Sequence, residues 1–65
     1  MLKVNGKDRK LMAGMTVADL LNEMGQPAER VAVERNGEIV PKRYFSEVRL
    51  EENDVIEVVS FVGGG

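Results

Sequence analysis

The sequence predicts an α+β fold, a mixed sheet of four to five strands with one helix across one face. Three observations predict it. Short alternating runs are joined by Asn-Gly pairs at Asn5-Gly6 and Asn36-Gly37. A single capped apolar stripe at helical spacing lies between them. An almost unbroken apolar segment, Val55–Phe61, closes the chain ahead of a run of glycines.

Leu2 and Val4 alternate with Lys3 and Asn5, the period of a strand with one buried face. Asn5-Gly6 is a type I′ hairpin signal, because both residues tolerate positive φ. The return strand is expected over Lys7–Met12, charged in its first half as suits an exposed edge. Thr16 can cap a helix, with Asp19 completing a capping-box variant near the positive helix end. Val17, Leu20, Leu21 and Met24 then fall on one stripe, and Gly25 and Pro27 supply the stop. A helix over Val17–Met24 is too short to stand alone and has to lie on a sheet.

Val31 and Val33 open a strand that turns at Asn36-Gly37 and returns through Glu38–Val40, where Pro41 ends regular pairing. Residues 42–47 read as irregular, with Tyr44 and Phe45 covering one end of the core. Val48–Leu50 offers a short pairing segment, and Glu51–Asp54 a polar turn with Asn53 at a left-handed position. The final strand, Val55–Phe61, is so apolar that it reads as central in its sheet and buried on much of both faces. Phe61 reads as core or edge cover, and as a candidate anchor for a partner should it prove exposed. Glu51, Glu52, Asp54 and Glu57 read as a solvated acidic face that could steer the chain to a basic partner.

With 65 residues the chain is one domain over 1–65, with a flexible C-terminal tail at 62–65. It holds neither cysteine nor histidine, which removes disulfides, thiolate zinc sites and every His-based triad. No catalytic residues, metal site or cofactor of its own are expected. A formal net charge of −2 argues against nucleic acid, and no apolar run reaches transmembrane length, so no membrane is expected and the location is read as cytoplasmic.

Gly63-Gly64-Gly65 is the most informative feature. A glycine run at a chain end is commonly a frayed terminus. Here it follows directly on an apolar strand, and no serine or tag-like residue surrounds it. Glycine costs more to order than any other residue, so folding gives no reason for three together. They make a thin peptide that can enter a narrow channel and present its end group. A terminal carboxylate is ionised at neutral pH and inert until activated, for example as an acyl-adenylate. A sulfur nucleophile could then displace AMP and leave a thiocarboxylate. ATP would be bound by the partner, because no helix follows the glycines to make a phosphate loop.

These motifs resemble the ubiquitin-like sulfur carriers of the β-grasp fold, and among them the thiamine-biosynthesis carriers of the ThiS family. The resemblance covers the whole chain. It is carried by Leu2–Lys7, Thr16–Leu21, Val31–Asn36, Ile39-Val40-Pro41, Asp54–Glu57 and Phe61–Gly65. It implies that Gly65 is the residue adenylated and converted to a thiocarboxylate, with Gly64, Gly63, Val62 and Phe61 recognised as the tail. The implied partners are a ubiquitin-activating-like adenylyltransferase (ThiF type) that uses ATP, a sulfur-donor enzyme, and a thiazole synthase (ThiG type). The usual Gly-Asp before the last strand is replaced by Asn53-Asp54, and asparagine also tolerates the left-handed region. Two alternatives stand beside this reading. Molybdopterin-type carriers share the chemistry but tend to be longer and to carry prolines before the glycines. Non-covalent β-grasp modules resembling TGS domains share the helix motif but need no free Gly-Gly end.

Overall fold

The computed structural model describes residues 1–61. Five strands form one mixed sheet: β1 (Leu2–Val4), β2 (Lys7–Arg9), β3 (Val31–Arg35), β4 (Glu38–Val40) and β5 (Val55–Ser60), in the order β2-β1-β5-β3-β4. β1 and β5 run parallel, and all other neighbours are antiparallel. One helix, α1 (Val17–Met24), covers one face.

Both hairpins turn where the Asn-Gly pairs stand. Asn5 and Gly6 take φ of 51° and 82°, and Asn36 and Gly37 take 51° and 86°, the two positive values that a type I′ turn requires. β2 ends at Arg9, well short of Met12. Beyond it the chain leaves the sheet edge and turns through Met12–Met15, which brings Met15 into the core.

α1 is closed at both ends. Thr16 Oγ1 accepts from the Asp19 N–H at 3.1 Å, and the Asp19 carboxylate accepts from the Thr16 N–H at 3.0 Å, completing the capping box. The remaining first-turn donors go to the segment after β4: Val17 N–H to the Val48 carbonyl at 3.0 Å and Ala18 N–H to that of Phe45 at 2.8 Å. Gly25, at φ 71°, ends the helix in the left-handed conformation. Two short 3₁₀ turns, Ala28–Arg30 and Lys42–Tyr44, complete the chain path.

The core is the layer between α1 and the sheet. Leu2, Val33, Ile56 and Val58 from the sheet meet Val17, Leu20 and Leu21 from α1, while Met15, Phe45 and Leu50 seal its edges. The aromatic pair divides: Phe45 is buried, but Tyr44 faces water with the Arg43 guanidinium 5.0 Å from its ring centre. Val48–Leu50 pairs only through a single bridge, Thr16 to Arg49.

β5 is central but is buried on one face alone. Ile56 and Val58 point into the core, whereas Val55 and Val59 are 44% and 58% exposed. The reason is arithmetic of layers: one eight-residue helix covers one face of a five-stranded sheet and leaves the other to water.

Candidate functional site

β5 is the element that leads to the glycines, and four residues, Asp54, Asn5, Asn36 and Phe61, tie it or its ends to the rest of the fold. At its start, Asp54 is 5% exposed. Its carboxylate accepts from Arg35 Nε at 2.8 Å, Asn36 Nδ2 at 3.0 Å and the Glu51 N–H at 2.8 Å. Burial pushes this carboxyl up, but the bonds from Asn36, Glu51 and Arg35 together with the Arg35 charge outweigh it and hold the pKa below the usual aspartate value. Asp54 is therefore no part of a solvated acidic face; its hydrogen-bond partners draw it inward.

Midway, Asn5 grips β5. Its Oδ1 accepts from the Val58 N–H at 2.7 Å and its Nδ2 donates to the Val58 carbonyl at 3.3 Å. This extends the parallel β1–β5 ladder past the point where the β1 backbone turns away. From the other hairpin Asn36 holds the start of β5, its Oδ1 accepting from the Val55 N–H at 2.9 Å. At the far end, Phe61 N–H donates to the Arg30 carbonyl at 2.7 Å, so β5 stays tied to the chain entering β3 until the last described residue. Phe61 is 58% exposed, neither core nor edge cover. Gly65, Gly64, Gly63 and Val62 lie outside the described residues.

The open sheet face runs alongside this exit. By strand alternation it carries Ala32 and Glu34 of β3, Ile39 of β4, and Val55, Glu57 and Val59 of β5. Among these, the residues from β3 and β5 pair directly: Ala32 with Val59 and Glu34 with Glu57. The sequence showed Val55 and Val59 only as core, because their exposure depends on how many helices cover the sheet. The signal available was Glu57, a charge in the middle of an otherwise apolar strand. Among the described residues no cluster of acids could hold a metal ion, and no helix is long and apolar enough to cross a membrane.

The sequence model of the ThiS family matches residues 2–65. The chain belongs to the ThiS family. It is similar to the sulfur carrier protein ThiS of Bacillus subtilis, 48% identical over 66 residues that cover the whole of each chain. It is also 48% identical over 64 residues to a thiazole synthase of Paramagnetospirillum magneticum, with 98% of this chain covered. The chain spans only 20% of the length of that relative, as it does of a second thiazole synthase from Magnetococcus marinus. Among solved structures it is similar to the thiamine biosynthesis protein ThiS of Geobacter metallireducens. The TM-score there is 0.79 at 34% identity, covering 98% of this chain and 97% of that one. The mixed five-stranded sheet with one helix is thus the β-grasp fold of this family.

Proposed function

We propose that this ThiS-family chain is a sulfur carrier in the synthesis of the thiazole of thiamine, and that its working group is the carboxylate of Gly65. One observation carries the reading: the whole chain aligns with the whole of a sulfur carrier protein at 48% identity. The thiazole synthase relatives support the choice of acceptor, because in each a segment similar to this chain belongs to the same polypeptide.

In the proposed reaction a partner adenylyltransferase binds ATP and the tail. A Gly65 carboxylate oxygen attacks the α-phosphorus, and pyrophosphate leaves. The terminal sulfur of an enzyme persulfide then attacks the acyl carbon, and AMP departs with the former carboxylate oxygen. A thiol cleaves the remaining S–S bond and frees the thiocarboxylate, which delivers its sulfur to a thiazole synthase. The carrier itself contributes binding and presentation, and the catalytic groups belong to its partners. Gly64 and Gly63 keep the tail slender enough for a nucleotide-bound site, and Val62 and Phe61 are its first recognised residues.

Intact mass of the protein purified from its native host tests this. A fraction heavier by exchange of one oxygen for sulfur, mapped by fragmentation to Gly65, is the expected result. Adenylation by a molybdopterin-pathway enzyme, with none by a thiamine-pathway enzyme, would move the chain to the other branch.

A further inference from the structure

We propose that Asn36-Gly37 is a latent deamidation site, held closed in the folded chain by the Asp54 carboxylate, and that its opening sets two carboxylates against each other at the start of β5. The modification concerns this chain's own backbone and is independent of the sulfur chemistry.

An asparagine amide is attacked most readily when glycine follows, because glycine places no side chain beside its own nitrogen. The Gly37 nitrogen gives its proton to solvent base and bonds to Cγ of Asn36. The Cγ–Nδ2 bond breaks, the amide takes the proton back and leaves as ammonia, and a five-membered imide remains. Water then opens the ring at either carbonyl, giving aspartate or its β-linked isomer. Asn36 and Gly37 are both exposed, and a Cβ added at Gly37 would meet nothing within 4 Å. Base and water therefore reach the site, and the ring has room to form.

What holds it closed is the attachment of the side chain to β5. Oδ1 of Asn36 accepts from the Val55 N–H at 2.9 Å, and Nδ2 donates to Asp54 Oδ1 at 3.0 Å. The Asn36 N–H also donates to the Val55 carbonyl at 2.7 Å. Cγ can reach the Gly37 nitrogen only when both side-chain bonds are given up. The bond to the carboxylate is the stronger of the two, being assisted by charge. Its acceptor cannot follow the amide as it turns. Asp54 is buried, and its other oxygen, Oδ2, is held by Arg35 Nε and the Glu51 N–H, both at 2.8 Å.

Asn5-Gly6 supplies the comparison within the same molecule. It is the same dipeptide in the same kind of turn, also exposed, with its amide bonded at both ends to Val58. There the acceptor for Nδ2 is a neutral carbonyl at 3.3 Å. Loss of the Asp54 carboxylate therefore opens one site and leaves the other's bonds in place. The consequences differ as well. At Asn36 the product sets a carboxylate oxygen where Nδ2 had donated, beside Asp54 Oδ1, and two carboxylates sharing a site repel. The β-linked product adds a methylene to a two-residue turn whose register pairs Arg35 with Glu38. Either product damages the start of β5.

The test incubates the full-length chain in mildly alkaline buffer, with circular dichroism confirming that it stays folded, and follows deamidation at each asparagine by peptide mass mapping. Asp54→Ala should speed the reaction at Asn36 about tenfold relative to Asn5, the weight of one charge-assisted hydrogen bond. Asn5 separates a local gate from a loss of stability, because global unfolding exposes both sites together. Equal acceleration at the two sites, or none at Asn36, would overturn the proposal. If Asp54→Ala does not fold, the wild-type chain in urea below its unfolding transition decides the matter. A locally gated Asn36 reacts at a rate that hardly changes with urea, since little surface is exposed on opening, and a rate rising in step with the unfolded fraction rejects the gate. Asn36→Asp makes the α-linked product directly. It should lower the thermal midpoint by about 4–8 °C and by more than Asn5→Asp does. An Asn36→Asp chain as stable as the wild type would show that the two carboxylates do not conflict.

Discussion

Asparagine does two jobs at once in this chain. Asn5 adopts the positive φ of its turn and also spends both ends of its amide on Val58. Glycine would satisfy the first requirement and fail the second. Asn5→Gly should therefore leave the hairpin intact but cost about 1–2 kcal/mol, one or two ordinary hydrogen bonds plus glycine's added entropy. Urea unfolding checks it, and a cost near zero would mean that the turn alone explains the residue. Asp54 has more at stake, being an almost buried carboxylate with three donors. Its pKa lies below the ordinary value, so its contribution to stability is fully present above the unfolded-state pKa of about 3.9 and is lost as pH falls through the lower folded value. Asp54→Asn keeps the shape and removes the charge. It should cost about 2–3 kcal/mol at pH 7 and less at pH 3, as read from urea midpoints at the two pH values. An equal cost at both would show that the charge contributes nothing.

At the scale of elements, the helix depends on its surroundings for its first turn. Eight residues cannot form a stable helix in water, and the donors at its start are shared between Thr16 and the carbonyls of Phe45 and Val48. Thr16→Ala deletes one of these acceptors and should cost about 1 kcal/mol in thermal or urea unfolding, with the other two bonds preserving the helix. The cap, the stripe from Val17 to Met24 and both Asn-Gly hairpins were legible in the sequence because each is a local rule with its residues adjacent. The exit of the chain from the middle of the sheet was legible in the apolar character of Val55–Val59. What was not legible needed tertiary information. Whether Val59 faces core or water depends on a second covering layer that the fold lacks. Asp54 looked like one acid in an acidic turn until Arg35 and Asn36, both far from it in sequence, came within hydrogen-bond range. Tyr44 and Phe45 are adjacent aromatics, and nothing local decided which of them would point inward. Gly65, the residue singled out for chemistry, lies outside the described residues, so that reading rests on sequence and family.

For the whole molecule, the proposed function implies a division between the folded residues and the end on which the chemistry is proposed. Among the described residues every core residue lies between Leu2 and Val58, and Phe61, just after β5, bonds through its N–H to the Arg30 carbonyl. Stability and sulfur chemistry should accordingly separate under mutation. Gly64→Val puts a branched side chain where the proposed reaction needs a slender peptide beside the nucleotide. It should lower kcat/KM for adenylation about a hundredfold, the penalty of displacing a reacting group by roughly an ångström, while the thermal midpoint stays at the wild-type value. Asp54→Asn should do the reverse, lowering the midpoint while the chain is still adenylated at near-normal rate at a temperature where it remains folded. A Gly64→Val chain that is adenylated normally would mean that the partner does not enclose the tail. One that melts early would mean that the glycines belong to the fold. Either result breaks the division, because a carrier of this kind works only if its end can be handled by an enzyme without disturbing the sheet behind it.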